Sequence, residues 1–349
     1  MSIFIIFLAI LCVMATLLPL IPSSRWYIRG FDFPYAQISF LTAGSLLYLL
    51  FFEPLNWPLI TLYLVLLLCF IYQIRSIYPY TPIAPTQVKL YKGNSNNTLS
   101  LLACNVYMDN LQVDRCIKLI ENHNPDIVLL VETNEWWYEQ TKQLQSRYPH
   151  NAAHPLDNTY GMILYSKLPM TETKIRFLVE KNVPSISTWV TLKNDIRANI
   201  YCLHPAPPSP TENETAQERD AELLLVAKEV RNKDYPVVVM GDLNDVAWSK
   251  TTRLFQKVSG LLDPRMGRGF FNTFPVAFPM LRWPLDHVFH TNHFKLKQIK
   301  RCEDIGSDHF PIYIHLAYDW RGPLHQDPLE MDHQDLELAK QKIEEGLSD

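Results

Sequence analysis

Residues 236–244 read PVVVMGDLN, a short run of apolar and β-branched residues that ends abruptly in an acid and an amide. Runs of four to eight such residues, bounded by a turn signal, are typical of a strand that is buried on both faces. The pattern predicts a strand over 236–241, with Asp242 and Asn244 at its carboxyl end. An aspartate in this place is often only a helix cap or a turn former, so Asp242 alone does not define a site.

The same arrangement recurs along the chain, because most β-rich runs end beside a polar residue that a strand would not bury without a partner. These residues are Asn105, Glu132, His204, Asp286, Asp308 and His309. Burying such groups unpaired would cost roughly 2–7 kcal/mol each. Taken singly, Asn105 could form a turn, Glu132 could cap a helix and His204 could lie in a solvated loop. As a set at the ends of strands, they predict one polar site.

The spacing of the runs predicts the fold class. β-rich runs occur at 98–106, 126–132, 161–166, 186–192, 197–204, 236–241, 286–290 and 310–316. Stretches with helical periodicity occur at 110–123, 135–146, 215–231 and 249–258. Many strands with fewer helices predict an α+β fold, in which sheets pack on each other and helices lie outside.

The first 75 residues are apolar and predict a membrane anchor with three transmembrane helices. The apolar runs cover 2–21, 36–52 and 58–74, and each is about as long as the hydrocarbon core requires. A cleaved signal peptide would need a basic start, yet no Lys or Arg precedes Arg25. A helical hairpin buried in a soluble protein is the other alternative. Aromatic residues at the ends of the runs, such as Trp26 and Trp57, favour retained membrane helices.

The rest of the chain divides by composition into a linker, a domain and a tail. Residues 76–97 contain three prolines and end in Gly-Asn-Ser-Asn-Asn, which predicts a stiffened linker. Residues 98–318 hold the strand pattern. Residues 319–349 carry nine acidic and three basic side chains and predict an acidic tail with an amphipathic helix near 332–347.

Charge and cysteine content exclude some classes of protein. The formal net charge is -4, and the segment 76–318 is close to neutral, which argues against a domain that grips long nucleic acid. The six cysteines form no CxxC pair, so a zinc knuckle is not indicated and buried thiols are expected. Arg25 and Arg29 in the first loop, with Arg75 after the third run, predict a cytoplasmic domain.

Seven segments, in this order, resemble the endonuclease/exonuclease/phosphatase superfamily. They read LLACNV, PDIVLLVE, YGMILYS, YCLHPAP, GDLND, LDHVF and GSDHFPI, and they span about residues 97–317. The resemblance implies the fold of pancreatic deoxyribonuclease, a four-layer α/β/β/α sandwich of two mostly antiparallel sheets with outer helices. The resemblance does not cover the first 75 residues or the tail. Together with the anchor, it implies a bacterial-type, multi-pass protein of the inner membrane.

The resemblance also implies a metal site and a site for the attacking water. Glu132 would be the main metal ligand, with Asn105 and Asp308 nearby, and the ion would be Mg²⁺ or Mn²⁺. Such hard cations prefer oxygen ligands and keep coordinated waters for the substrate phosphate. Asp242 would position or deprotonate the attacking water, and Asn244 would hydrogen-bond the phosphate.

Two histidines complete the implied site. His309 would act with Asp286, whose carboxylate would orient the imidazole and stabilise its protonated form. His204 would be a second catalytic histidine, one that protonates the leaving group. Two positions depart from the family pattern. Tyr160 lies one residue away from the expected tyrosine, so its role as a phosphate ligand is in doubt, and His287 is expected to be structural.

The implied reaction is metal-assisted hydrolysis of a phosphodiester or phosphomonoester, and the substrate could be a phospholipid or a nucleic acid. Tethering to the bilayer through residues 1–75 favours a lipid-linked ester, because it raises the effective concentration there. The segment 267–284 predicts either a packed loop over the site or an apolar wall or bilayer-facing lip. Its neighbouring arginines, Arg265, Arg268 and Arg282, could bind phosphate or be solvated.

Two other functions remain open at this point. The protein could be an endonuclease or exonuclease, which is the commonest label in the family. It could also be a catalytically inactive membrane adaptor that uses the same fold as a binding surface. No protein partner is predicted.

Overall fold

The computed structural model describes residues 2–54, 56–94 and 96–348. Met1, Leu55, Ser95 and Asp349, which fall in the predicted anchor, linker and tail, lie outside the described residues. The N-terminal part contains helices α1 (Ser2–Leu17), α2 (Trp26–Arg29), α3 (Tyr35–Phe52) and α4 (Trp57–Ile77). In the described ranges, three stretches are helical, long and apolar enough to cross a membrane: Ile3–Leu20, Tyr35–Phe52 and Trp57–Tyr80. They coincide with the three apolar runs of the sequence.

A buried polar side chain joins these three long helices. Gln73 on α4 is fully buried, and its amide nitrogen donates to the hydroxyl oxygens of Thr16 at 2.6 Å and Thr42 at 3.3 Å. Thr16 lies on α1 and Thr42 on α3, so one amide contacts both neighbouring helices. Interhelical hydrogen bonds of this kind stabilise helix association where the surroundings are apolar.

Two sheets form the centre of the rest of the chain. Their strands are β1 (Thr98–Asn105), β2 (Ile127–Val131), β3 (His150–His154), β4 (Met162–Ser166), β5 (Met170–Arg176), β6 (Ser185–Thr191), β7 (Arg197–Cys202), β8 (Val237–Asp242), β9 (Asp286–His290), β10 (Phe294–Arg301) and β11 (Ile312–Tyr318). One sheet has the order β10-β11-β1-β2-β4-β3, and the other has the order β5-β6-β7-β8-β9.

One parallel pair lies inside each sheet. β1 pairs with β2 in parallel, and β7 pairs with β8 in parallel, whereas the other strand pairs are antiparallel. A parallel pair needs a crossover segment, which helices supply here. Both strands of a parallel pair end at the same edge of the sheet, so residues that follow them lie close together.

Helices cover the outer faces of both sheets. They are α5 (Val113–His123), α6 (Glu135–Thr141), α7 (Gln217–Val230), α8 (Lys250–Ser259) and α9 (His333–Leu347). The inner faces of the sheets pack together through residues such as Leu101, Leu129, Ile200 and Val238. α5 and α6 pack on the first sheet, and α7, α8 and α9 pack on the second. The predicted α+β, four-layer α/β/β/α sandwich is therefore confirmed.

Local sequence explains where several of these helices begin and end. The apolar residues Val113, Ile117 and Ile120 repeat at helical spacing on the buried face of α5. Asn124 ends α5 in the left-handed conformation, with φ at 46°. At the start of α8, the hydroxyl of Ser249 accepts a hydrogen bond from the backbone nitrogen of Thr252 at 2.9 Å.

The strands that the sequence pattern did not predict are β3, β5 and β10. Each of them lies at the edge of its sheet. β5 reads MTETKIR and β10 reads FKLKQIKR, and most of their side chains are partly or fully exposed. Edge strands often carry charged residues, which discourage pairing with another chain. Their polar sequences therefore resemble loops, whereas the buried central strands have clear apolar patterns.

Residues 78–91, inside the predicted linker, lie against the sandwich. The buried Tyr80 donates from its hydroxyl to the carbonyl oxygen of Ala247 at 2.6 Å. Val88 is fully buried among the residues between the two sheets. The backbone of Tyr91 donates to the carbonyl oxygen of Leu296 at 2.8 Å. This part of the chain thus belongs to the folded body.

The loop between α1 and α3 also packs on the sandwich. Lys250 donates to the carbonyl oxygen of Pro19 at 2.9 Å, and the indole nitrogen of Trp248 donates to the carbonyl oxygen of Asp32 at 2.8 Å. An apolar cluster is shared between the two parts of the chain, and its buried members are Tyr35, Ile77, Tyr80, Val246, Ala247, Trp248, Met266 and Leu285. The N-terminal helices, called the anchor below after the role that the sequence predicts for them, therefore form one continuous structure with the sandwich.

Candidate active site

Polar residues from both sheets meet at the edge of the sandwich that contacts the anchor. Asn105 ends β1, Glu132 follows β2 and Asp242 ends β8. Asp286 begins β9 and pairs directly with Asp242, because β8 and β9 run antiparallel. The segment after Asp242 leads to Trp248, which contacts the anchor loop. The topology thus brings four of the predicted site residues together.

Gly241 is required for the close approach of the ends of β7 and β8. Its φ is +142°, and a Cβ atom there would lie 1.9 Å from the carbonyl oxygen of Leu203. Only glycine fits such a contact without a shift of the backbone. The residues that follow, His204 and Asp242, are consequently neighbours, with 4.0 Å between His204 Nε2 and Asp242 Oδ2.

Asn105 joins the two sheets across the site. Its side-chain nitrogen donates to Glu132 Oε1 at 2.7 Å and to Asp242 Oδ2 at 3.1 Å. Glu132 has a φ of 59°, which is uncommon for a residue with a side chain and is found often at functional sites. Burial raises the pKa of Glu132 to about 7, and the nearby carboxylates of Asp308 and Asp242 add to this rise.

His309 lies between two carboxylates. Its Nδ1 is 2.8 Å from Asp286 Oδ2, and its Nε2 is 3.5 Å from Asp242 Oδ2. Burial alone would lower the pKa of His309, but Asp242 and Asp286 outweigh that effect and raise it to about 10. Burial raises the pKa of Asp242 in turn. At neutral pH the imidazole is therefore positively charged, with one carboxylate fixing its ring and another facing its free edge.

Two further residues support His309, and the sequence reasoning did not identify either of them. The hydroxyl of Ser307 donates to the carbonyl oxygen of Asn105 at 2.8 Å and accepts from the backbone nitrogen of His309 at 3.0 Å. The ring of Phe274 lies 4.8 Å from the imidazole of His309. Ser307 falls within the GSDHFPI segment, so its position next to Asp308 was a usable signal.

His204 differs from His309 in its charge state. It is buried, and burial lowers its pKa to about 4, so that it is neutral near pH 7. Within the described residues, its Nδ1 atom has no hydrogen-bond partner. A neutral imidazole does not carry the acidic proton that a general acid must donate to the leaving group. The role of His204 in protonating the leaving group stays a prediction.

Asn244 and Tyr160 lie at the side of the site that His204 occupies. The amide nitrogen of Asn244 donates to the carbonyl oxygen of Pro205 at 3.0 Å. The hydroxyl of Tyr160 donates to Glu212 Oε2 at 2.7 Å, while its ring lies 5.6 Å from that of His204. Both side chains thus have partners in the protein, and the bond predicted from Asn244 to phosphate stays a prediction.

The remaining charged residues near the site have internal partners. Arg265 is buried and contacts both Asp263 Oδ2 at 2.8 Å and His287 Nδ1 at 2.6 Å. Arg268 donates to the carbonyl oxygens of Pro264 and Val88, and Arg282 donates to those of Pro275 and Val276. All three arginines thus have acceptors within the protein, and a contact of any of them with phosphate stays a prediction. His287 also has a hydrogen-bond partner within the fold, because its Nε2 lies 2.8 Å from the carbonyl oxygen of Asp245.

The side chains at this site fit a divalent cation. Glu132 and Asp308 offer carboxylate oxygens, which Mg²⁺ and Mn²⁺ prefer. Asn105 turns its amide nitrogen toward Glu132, and its Oδ1 accepts from the backbone nitrogen of Tyr107 at 3.0 Å. Burial is the largest cause of the raised pKa of Glu132, and the charge of His309 offsets only part of it. Asp242, Asp286 and His309 also have ligand atoms within 4.8 Å of one another. Within that second group, Asp286 is hydrogen-bonded to His309, and which of the two groups would hold a cation stays a prediction.

The family resemblance is confirmed by comparison with known proteins. Residues 102–309, more than half of the chain, match the Endonuclease/Exonuclease/phosphatase family, and the chain belongs to this family. Its members are hydrolases that act on phosphate esters and generally use divalent metal ions. No curated protein matches the sequence.

Solved structures support the same fold. An endonuclease/exonuclease/phosphatase from Beutenbergia cavernae is 16% identical, with a TM-score of 0.51 over 64% of this chain and 72% of that chain. A family protein from Bacteroides thetaiotaomicron is 18% identical, with a TM-score of 0.50 over 64% and 95% of the two chains. A conserved protein of unknown function from Enterococcus faecalis is 16% identical, with a TM-score of 0.50 over 63% and 100%. At these identities the likeness concerns the fold alone.

Proposed function

We propose that this protein is a membrane-anchored, metal-dependent phosphoesterase that hydrolyses a phosphodiester or a phosphomonoester by attack of an activated water. One observation carries the proposal. The charged His309 is bonded to Asp286 and faces Asp242, which in turn contacts Asn105 of the opposite sheet. A base and a cationic hydrogen-bond donor within reach of one phosphate are what such hydrolysis requires.

Each side chain has a defined part in the proposed reaction. Asp242 accepts a proton from water while the water oxygen forms a bond to phosphorus. His309 donates from Nε2 to a phosphoryl oxygen and offsets the negative charge that builds up there. The bond between phosphorus and the leaving oxygen breaks on the opposite side, and that oxygen takes a proton from solvent. A divalent cation held by Glu132, Asn105 and Asp308 would neutralise phosphate charge and stabilise the leaving oxygen.

The full-length chain in detergent or nanodiscs is the material for the test. We expect it to hydrolyse bis-p-nitrophenyl phosphate with Mg²⁺ or Mn²⁺ and to lose that activity with chelator. His309→Ala and Glu132→Gln should each lower turnover by about 10²–10⁴-fold. His325→Gln, at an exposed position directly after the 3-10 turn Gly322–Leu324, serves as the control.

Absence of turnover with every divalent ion would overturn the proposal and favour the inactive adaptor. Cleavage of plasmid DNA that is lost in the same two variants would identify a nuclease instead.

The placement in the membrane is a second part of the proposal. The three helices would hold the protein in a bacterial inner membrane, and Arg25, Arg29 and Arg75 would place the enzymatic domain on the cytoplasmic side. A reporter fused to the C-terminus that is active only in the cytoplasm tests this placement. A signal from a periplasm-specific reporter would reverse the sidedness without affecting the chemistry.

A further inference from the structure

We propose that the loop of residues 274–283 lies in the surface of the bilayer and that the site acts on a phosphate ester carried by a membrane lipid. This inference rests on the proposed phosphoesterase function, and it adds the class of substrate and the surface that delivers it.

The tip of the loop is fixed at the level where the membrane helices begin. The side chain of Gln37, in the first turn of α3, donates to the carbonyl oxygen of Met280 at 3.0 Å. The ring of Phe33, just before α3, lies 5.7 Å from that of Trp283 in an edge-to-face contact. Since α3 is a candidate membrane span from Tyr35 onward, these contacts place the loop beside the bilayer surface.

The loop exposes apolar side chains at that level. Phe278 is 62% exposed, Met280 is 84% exposed and Leu281 is 48% exposed. Residues 273–281 contain no charged side chain. Large apolar groups in a contiguous exposed patch usually mark a surface that contacts a partner or a membrane. A neighbouring membrane helix identifies the bilayer as the occupant here, because apolar side chains gain free energy when they enter the interface.

The other end of the loop touches the catalytic residues. The ring of Phe274 lies 4.8 Å from that of His309, and the backbone nitrogen of Val276 donates to the carbonyl oxygen of Asp308 at 2.8 Å. Arg282 donates to two carbonyl oxygens of the same loop and holds its shape. One short, braced loop therefore joins the exposed apolar tip to the imidazole.

The opposite side of the site is also attached to the anchor. The backbone nitrogen of Trp26 donates to the carbonyl oxygen of Glu214 at 3.0 Å. Two residues earlier, Glu212 accepts the hydroxyl of Tyr160, whose ring lies 5.6 Å from His204. Both sides of the site are thus held by segments next to the membrane helices, which places the site close to the bilayer surface.

The charges around the site favour a lipid over a nucleic acid. Proteins that bind nucleic acid neutralise several phosphates with Lys and Arg. In the described residues, Arg265, Arg268 and Arg282 beside the loop all have acceptors within the protein. A lipid needs fewer such contacts, because its chains stay in the bilayer and only its phosphate group has to reach the site.

The depth of the loop can be measured without catalysis. All six cysteines, each in the described part of the chain, are buried, so Met280→Cys in nanodiscs of phosphatidylcholine and phosphatidylglycerol can be labelled with an environment-sensitive fluorophore. We expect blue-shifted emission that is quenched by spin-labelled lipid and protected from aqueous iodide. Leu324→Cys, 73% exposed after β11 at the other end of the sandwich, is the matched control and should respond to iodide alone. Iodide quenching of the Met280→Cys label, without quenching by lipid, overturns the placement of the loop.

The substrate class is tested with the same nanodiscs. We expect the wild-type chain to hydrolyse phosphatidylglycerol or phosphatidic acid, and we expect Phe278→Ser with Met280→Ser to lower the ratio of lipid turnover to bis-p-nitrophenyl phosphate turnover at least tenfold. An unchanged ratio, or faster hydrolysis of single-stranded or duplex DNA than of lipid, overturns the lipid assignment. If no ester of any kind is hydrolysed, the phosphoesterase proposal itself fails and the lipid substrate fails with it, while the fluorescence measurement still decides the placement of the loop.

Discussion

The indole nitrogen of Trp248 donates to the main-chain carbonyl oxygen of Asp32 at 2.8 Å. Trp248 lies on the loop that follows Asp242, and Asp32 lies in the loop that joins α1 and α3, the first two candidate membrane spans. This single bond therefore connects the anchor to the segment that carries the proposed base. Asp32 and Trp248 are both buried, so water cannot easily replace the bond.

Trp248→Phe tests how strongly the anchor is joined to this loop. The change keeps an aromatic ring but leaves the buried carbonyl of Asp32 without its donor, at a cost of about 1–3 kcal/mol. For a chain of 349 residues, each 1 kcal/mol lowers the melting temperature by about 1–2 °C. Thermal unfolding in detergent measures the shift. Trp320→Phe, at an exposed position, should leave the melting temperature within 1 °C of wild type (~0.5 kcal/mol or less).

Asp286→Asn tests the orientation of His309. The amide cannot supply the negative charge that stabilises the imidazolium, although it can still occupy the same space. Turnover of bis-p-nitrophenyl phosphate should fall by about 10²–10⁴-fold, while the melting temperature changes little. Asp319→Asn, which breaks a pair with Lys295 at the other end of the sheet, is the control. Equal activity of the Asp286 variant and wild type would remove Asp286 from the mechanism.

The buried carboxylate of Asp220 gives a testable pH dependence of stability. Burial alone would raise its pKa, but Lys342 and Arg219 lower it to about 2 from an ordinary value of 3.8. A carboxylate with a depressed folded-state pKa contributes stability that is complete above its unfolded value and is lost as the pH falls. The contribution, about 2 kcal/mol at neutral pH, should disappear between about pH 4 and pH 2.

Chemical denaturation of Asp220→Asn and wild type across this pH range measures the contribution. The two free energies of unfolding should converge as the pH approaches 2. Asp335→Asn breaks the more exposed pair with Lys257 and should have a smaller effect at every pH. A constant difference between Asp220→Asn and wild type from pH 7 to pH 2 would contradict the assignment.

Gly346→Ala tests the packing of the C-terminal helix. A Cβ atom at this position would lie 2.4 Å from the carbonyl oxygen of Gln217 and 2.6 Å from the Cβ of Ala221, both on α7. We expect a loss of about 1–3 kcal/mol, measured as faster hydrogen exchange throughout α9. Gly44→Ala on α3, where no atom lies within 4 Å of the added group, should not accelerate that exchange. If both variants behave alike, α9 does not depend on this contact.

The fold and much of the site could be predicted because their signals are local and apolar. The run PVVVMGDLN predicts both a buried strand and the polar residue at its end. The two strands of each parallel pair end at the same edge of their sheet, which brings such polar residues together. β5 and β10 were not predicted from the sequence. These two edge strands bury few side chains and carry charged residues where a central strand has apolar ones. The support of His309 by Phe274 also escaped prediction, because a contact between residues 35 positions apart depends on tertiary packing rather than on spacing.

Charge states and partners were less predictable than positions. His204 and His309 are both histidines beside the same carboxylate, yet burial dominates the pKa of one and two carboxylates dominate that of the other. Arg282 could have faced solvent or phosphate by sequence alone, whereas in the structure it donates to carbonyl oxygens of its own loop. Charge states and hydrogen-bond partners therefore depend on which acceptors the fold brings to within about 3 Å of each side chain.

The apolar cluster shared by Tyr35 and Leu285 joins a segment that is synthesised early to one that is synthesised late. Tyr35 leaves the ribosome early, together with the N-terminal helices, while Leu285 follows only after most of the chain has been synthesised. Because domains generally fold as their segments emerge, the N-terminal helices would keep this aromatic surface uncovered until the later segments arrive. The sandwich then completes its fold against that surface, so the enzyme would be assembled in the place where it is proposed to work.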